Sequence, residues 1–182
     1  MAEIGSTVSS VTLEWHCNKT PTTLKIDCVT DGVTDSVTIS PPTQIGEKEY
    51  SNITKNTSWK ITATGEHGET ANEPANLYFY NGVYYGVAEA QNSYDSAFVR
   101  NLTKTLRGSK LTSFNVNADD GQYIYYCLPT SMGECDFTVN GFTGGFSLVA
   151  TIEFINGSDY HEDYYIYRSD NANLGNTKVT VS

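Results

Sequence analysis

Residues 159–169, DYHEDYYIYRS, decide how this chain folds. Read as a strand, the stretch places Tyr160, Glu162, Tyr164, Ile166 and Arg168 on one face. His161, Asp163, Tyr165 and Tyr167 take the other. An earlier stretch at 121–130, GQYIYYCLPT, carries nearly the same Tyr-Ile-Tyr core, with Tyr123, Tyr125 and Cys127 opposite Ile124, Tyr126 and Leu128. Both faces of both strands are partly aromatic, which suits a strand buried on one side and half-covered on the other. Tyrosine tolerates that position because its ring is apolar while its hydroxyl reaches water or a partner. Alternation makes Tyr125, Tyr165 and Tyr167 the candidates for an exposed face. Two readings of that face stand: packing or subunit contact, which is favoured, and a surface on which sugar rings stack.

The strands continue on either side. LTSFNVN, CDFTVNGF, FSLVATIEFI and NTKVTVS alternate in the same way, and NADDG, VNGF and INGSD carry hairpin-turn residues. One helix is expected over about 93–107, in NSYDSAFVRNLTKTLRGSK. Ser93 or Asp95 caps it, Phe98, Leu102 and Leu106 form its apolar stripe, and Gly108 ends it. Arg100, Lys104 and Arg107 then share one side of that helix, with Lys110 beyond its end. They read as a solvated face whose cations suit the helix C-terminus, or as a dock for an acidic partner or an anionic polysaccharide.

Before residue 76 the composition differs. Twelve of the 13 tyrosines lie after that point and 14 of the 23 threonines before it. STVSSVTLEWHC, TTLKIDCVT, DSVTIS and SWKITATG alternate apolar and polar residues, separated by turn-rich segments. The expectation is a mainly β protein of two domains. Residues 1–76 form an immunoglobulin-like or fibronectin-like sandwich with Trp15 and Trp59 in its core, and 77–182 an antiparallel β-domain with the one helix. GEHGETANEPANL, with Gly65, Gly68 and Pro74, is the expected connector.

Charge and motifs restrict the function. The net charge of −10 argues against nucleic acid, whose phosphates require a basic surface. No apolar run approaches the ~20 residues needed to cross a bilayer, so no membrane insertion is expected. The N-terminus MAEIGSTVSS has neither a basic segment nor an apolar one, so folding in a cytoplasm is expected. Free thiols are therefore the first reading of Cys17, Cys28, Cys127 and Cys135. The alternative pairs Cys17 with Cys28 and Cys127 with Cys135. Five Asn-x-Ser/Thr sequons read as incidental in a threonine-rich chain.

No catalytic, cofactor-binding or metal residue is assigned, and no cofactor is expected. His16, His67 and His161 are scattered. Glu162 and Asp163 point to opposite faces of a strand, so they make a poor acid pair or ion site. DNANLGN departs from a calcium loop at Ala172 and Val181.

From Tyr78 onward the chain resembles a module of tailed-bacteriophage and prophage structural proteins. The resemblance lies in YFYNGVYYGVAEA, GQYIYYCLP, GFTGGFSLVATIEFINGSDY and YIYRSDNANLGNTKVTVS. It implies a non-enzymatic virion component: a fibre, tail appendage, neck or head decoration. Its partners would be other virion proteins and further copies of itself, a trimer being the implied state. A host-surface glycan is the other partner such a component could take. The chain would be assembled in the host cytoplasm. The rival is a carbohydrate-binding or adhesin module of a bacterial surface protein.

Overall fold

The computed structural model describes residues 1–182 and is mainly β. The chain divides into two compact units, Met1–Phe79 and Tyr80–Ser182.

The first unit opens with β1 (Ala2–Glu3), followed by β2 (Val8–His16), β3 (Thr23–Thr30), β4 (Val33–Ile39), β5 (Ile45–Ile53), β6 (Thr57–Thr64) and β7 (Thr70–Leu77). β2 pairs only with β5, while β4-β3-β6-β7 form an antiparallel sheet of four. The alternation of the sequence sets what each strand buries. Leu13 and Trp15 of β2 meet Leu24 and Ile26 of β3 and Trp59 of β6, and these five residues are the core. Tyr50 of β5 closes against Trp59, with ring centroids 5.5 Å apart. The β3–β4 turn is Asp31-Gly32, both at positive φ, as a tight hairpin requires.

The expected connector is not a linker. Gly65–Glu69 is the turn of a β6–β7 hairpin, closed by the Gly65 N–H donating to the Glu69 carbonyl at 2.8 Å. Thr70–Leu77 is an edge strand. Pro74 has no N–H to donate, but an edge strand has one side where none is needed.

The second unit begins one residue into β8 (Phe79–Glu89) and continues with α1 (Ser96–Arg100), β9 (Thr103–Arg107), β10 (Ser113–Ala118) and β11 (Gln122–Pro129). A 3-10 turn at Thr130–Met132 leads to β12 (Phe137–Val139), β13 (Phe142–Thr143), β14 (Phe146–Ile155), β15 (His161–Ser169) and β16 (Gly175–Val181). Within this unit one sheet runs β9-β8-β11-β15-β14 and the other β10-β16-β12-β13. The two aromatic strands are neighbours, in a register that sets Tyr125 opposite Arg168 and Tyr126 opposite Tyr167.

This aromatic sheet is covered on both sides, more fully than alternation alone suggests. Ile124, Tyr126, Leu128 and Tyr167 face Phe114, Phe137, Val179 and Val181 of the second sheet. On the other face Tyr84, Tyr125, Cys127, Phe154, Tyr164 and Ile166 pack with Val99, Tyr94, Phe98 and Leu102.

The helix is far shorter than expected. Asp95 does cap it, its carboxylate accepting from the Phe98 N–H at 2.8 Å. It ends at Arg100, and Thr103–Arg107 pairs with Tyr85–Asn81 of β8. Thr103 and Thr105 are β-branched and fit a pleated strand better than a helix, and the free edge of β8 supplies the partner.

Candidate functional site

The structure separates the side chains that strand alternation placed on one exposed face. Tyr125 has no exposed surface and Tyr167 only 5 %. Both were expected to be accessible, and neither is. Tyr125 is roofed by Phe98 at 4.9 Å and Tyr94 at 5.9 Å between ring centroids. Tyr167 is covered by Phe137 at 5.0 Å. Tyr165 remains half-buried beside Tyr167.

Four buried tyrosine hydroxyls are tied to main chain. The Leu111 N–H donates to Tyr126 Oη at 2.9 Å and the Cys135 N–H to Tyr167 Oη at 3.1 Å. Tyr164 Oη donates to the Gly82 carbonyl at 2.7 Å, and Tyr125 Oη to the Glu89 carbonyl at 3.2 Å. Burial pushes the phenols of Tyr125, Tyr126 and Tyr167 above their ordinary values. These rings carry load in a core and present no stacking surface.

The three cations are not a helix face. Arg100 ends α1, and its Nη1 donates to the Ile155 carbonyl at 2.5 Å. Lys104 and Arg107 lie on β9, three residues apart and so on opposite faces of that strand. A single basic surface needs the helix that the chain does not form. Arg168 lies with its guanidinium carbon 4.6 Å from the Tyr123 ring centre, a cation–π contact within the aromatic sheet.

The acidic and thiol groups are similarly engaged. Glu162 of β15 accepts from Asn81 Nδ2 of β8 at 2.6 Å and from Ser131 Oγ of the 3-10 turn at 2.5 Å, linking three segments of the second unit. His161 Nδ1 lies 3.2 Å from Glu153 Oε1 on the surface. All four cysteines are free thiols. Burial pushes the Cys135 thiol up to about 11 and holds the fully buried Cys127 thiol well above its ordinary value, so neither is a ready nucleophile. No three His, Cys, Asp or Glu side chains converge to hold a metal ion, and no helix is long and apolar enough to cross a membrane.

A feature with room for another molecule lies in the first unit, at a place no motif pointed to. A groove of about 990 Å³ runs between β2 with its following loop, Thr12–Pro21, and the β6–β7 hairpin. Its floor includes Leu13, Trp15, Trp59 and Ile61. The two tryptophans were expected in the core, where they lie at 9 % and 2 % exposure, and they also form the groove's apolar lining. The groove exists because a sheet of two strands cannot roof a sheet of four. Strand count in each layer is a property of pairing, which no local pattern discloses.

No protein-family model matches the chain, and none of the curated proteins compared with it is similar in sequence.

Proposed function

We propose that the chain is a non-enzymatic structural protein of a bacteriophage virion: a fibre, tail appendage, neck or head decoration. It would act in particle assembly, in host-surface recognition or in both. The observation that carries this reading is the resemblance of residues 78–182 to modules of tailed-phage structural proteins. Its quoted segments correspond to β8, β11, the β13–β15 stretch and the β15–β16 connection, the frame of one two-sheet body.

The first unit supports the reading at the level of architecture. An immunoglobulin-like sandwich has sheets ABED and CFG, with C′ added beside C in some members. Here β4-β3-β6-β7 has the order of C′-C-F-G and β2-β5 that of B-E. The resemblance implies such an arrangement, since modules of that kind commonly follow immunoglobulin-like domains.

Self-association belongs to the same proposal, with three copies as the resemblance implies. The buried Tyr125 and Tyr167 are unsuited to carry it. Half-buried Tyr165 and the exposed Phe142, Leu148 and Tyr160, at 80 %, 45 % and 38 %, are apolar side chains of the second unit open to a neighbouring copy. The rival reading, a carbohydrate-binding or adhesin module, needs exposed aromatic faces, and the closed tyrosine core offers it fewer.

Electron microscopy of purified particles with a gold-labelled antibody against the chain tests the proposal. Labelling at one fixed position on each particle is expected. Recovery of the chain wholly outside particles, with no labelling, would overturn it.

A further inference from the structure

We propose that the groove of the first unit is a strand-accepting site, filled by an extended, lysine- or arginine-bearing segment of a partner protein that pairs with the free edge of β2. The inference goes beyond the virion reading and does not rest on it.

The geometry favours a strand over a compact ligand. One wall is β2 and the loop after it, the other the turn and edge strand of the β6–β7 hairpin, so the lining is elongated. Five of the nine residues of β2, Thr12–His16, line the groove, about 16 Å of strand at the usual rise of roughly 3.3 Å per residue. Its outer edge pairs with no other strand. An unpaired edge beside an apolar trough supplies both parts of β-strand addition: main-chain bonds for affinity and side-chain room for selection.

The two edges that border the groove are not equivalent. β7 contains Pro74, which interrupts a ladder, as edge strands that resist pairing commonly do. β2 reads VSSVTLEWH, with no proline and no lysine. It carries neither of those protections. An incoming segment would therefore pair with β2, lay alternate side chains over Trp15 and Trp59, and leave β7 as an unpaired wall.

Charge identifies the occupant's chemistry. Glu14, Glu66, Glu69 and Glu73 line the groove and are exposed, against one exposed lysine, Lys19. Such a rim attracts a basic segment and repels an acidic one. A second copy of this chain, with its net charge of −10, is the less favourable occupant.

The test uses the full chain and three nine-residue peptides: one alternating valine with lysine, one alternating valine with glutamate, and the lysine peptide with alternate amides N-methylated. Binding is followed by backbone amide shifts and hydrogen exchange at millimolar peptide and low salt. Saturable shifts along Thr12–His16 are expected for the lysine peptide, with slowed exchange at alternate β2 amides. The glutamate and N-methylated peptides should bind at least tenfold more weakly. The paired substitutions Glu14→Lys and Glu73→Lys, both at exposed positions, should lower affinity for the lysine peptide about tenfold and raise it for the glutamate one. Absence of any β2 response to the lysine peptide would overturn the proposal. So would equal binding of the N-methylated peptide, which would mean charge attraction without strand pairing. Protection of β2 that rises with protein concentration in the absence of peptide would assign the groove to a second copy and also overturn it.

Discussion

The two units solve the same problem, covering a four- or five-stranded sheet, with different completeness. In the second unit both faces of the aromatic sheet are packed, and the hydroxyls of Tyr125, Tyr126, Tyr164 and Tyr167 each reach a main-chain partner. In the first unit only one face has a cover, and that cover is two strands wide. Trp59 Nε1 and Tyr50 Oη are buried there with no hydrogen bond of ordinary geometry, the weakly accepting Cys28 sulfur being beside Trp59. The contrast explains the uneven tyrosine content. A ring with a polar tip suits a doubly covered sheet, because the body fills the layer and the hydroxyl satisfies backbone groups at its margin. A unit left open on one side has less need of it.

The largest effect that separates the units should come from deleting one of those rings. Tyr126→Ala removes a side chain with no exposed surface from between the two sheets of the second unit, and should cost about 3–5 kcal/mol. Calorimetry should show the loss in one of two transitions, the other unchanged. A uniform shift of a single transition would show that the units do not unfold separately.

Steric crowding gives the next effect. A Cβ at Gly82 would lie 2.6 Å from the Tyr84 ring, which is itself 2 % exposed and cannot swing aside. Gly82→Ala should cost roughly 1–3 kcal/mol by overpacking, read from the denaturation midpoint. A neutral result would mean that the second core is looser than described.

Hydroxyl removal sharpens the comparison further, because its sign should differ between the units. Tyr126→Phe leaves the Leu111 N–H without its partner and should cost about 1–2 kcal/mol. Tyr50→Phe removes a buried hydroxyl that has no partner, and should be neutral or slightly stabilising. Equal losses in both variants would contradict the contrast.

Alkaline pH probes the same difference. The folded state holds Tyr125, Tyr126 and Tyr167 neutral to higher pH than the unfolded chain, whose tyrosines ionise near 10. Above that pH the folded protein binds more protons than the unfolded one. Stability therefore falls as pH rises beyond about 10. In the first unit burial raises one tyrosine, Tyr50, and the Cys28 thiol, so this unit should lose less. Melting curves at pH 8 and 10.5 that shift both transitions equally would argue against it.

Much of the fold was legible because alternation fixes which residues share a face. Leu24 and Ile26, or Tyr164 and Ile166, could be grouped from their spacing alone. What alternation omits is whether the second face is covered, since the cover comes from distant residues. Phe137 over Tyr167 and Phe98 over Tyr125 lie 30 and 27 positions away. The helix was overextended because Leu102 and Leu106 fit its period, while pairing of Thr103–Arg107 with β8 outweighs that local preference. Pro74 suggested a linker because a proline argues against a central strand, and it is equally at home on an edge. The groove left no trace in any local pattern. Its walls are three strands brought together by the fold, and its defining property is a strand that is not there.

Amide hydrogen exchange on the full chain tests most directly whether one unit is closed and the other open. The comparison should be between β11 and β6, since each is an inner strand paired on both sides. β11 amides are expected to exchange at least tenfold more slowly than those of β6, whose inner face borders the groove. Exchange from β6 as slow as from β11, or slower, would contradict the account.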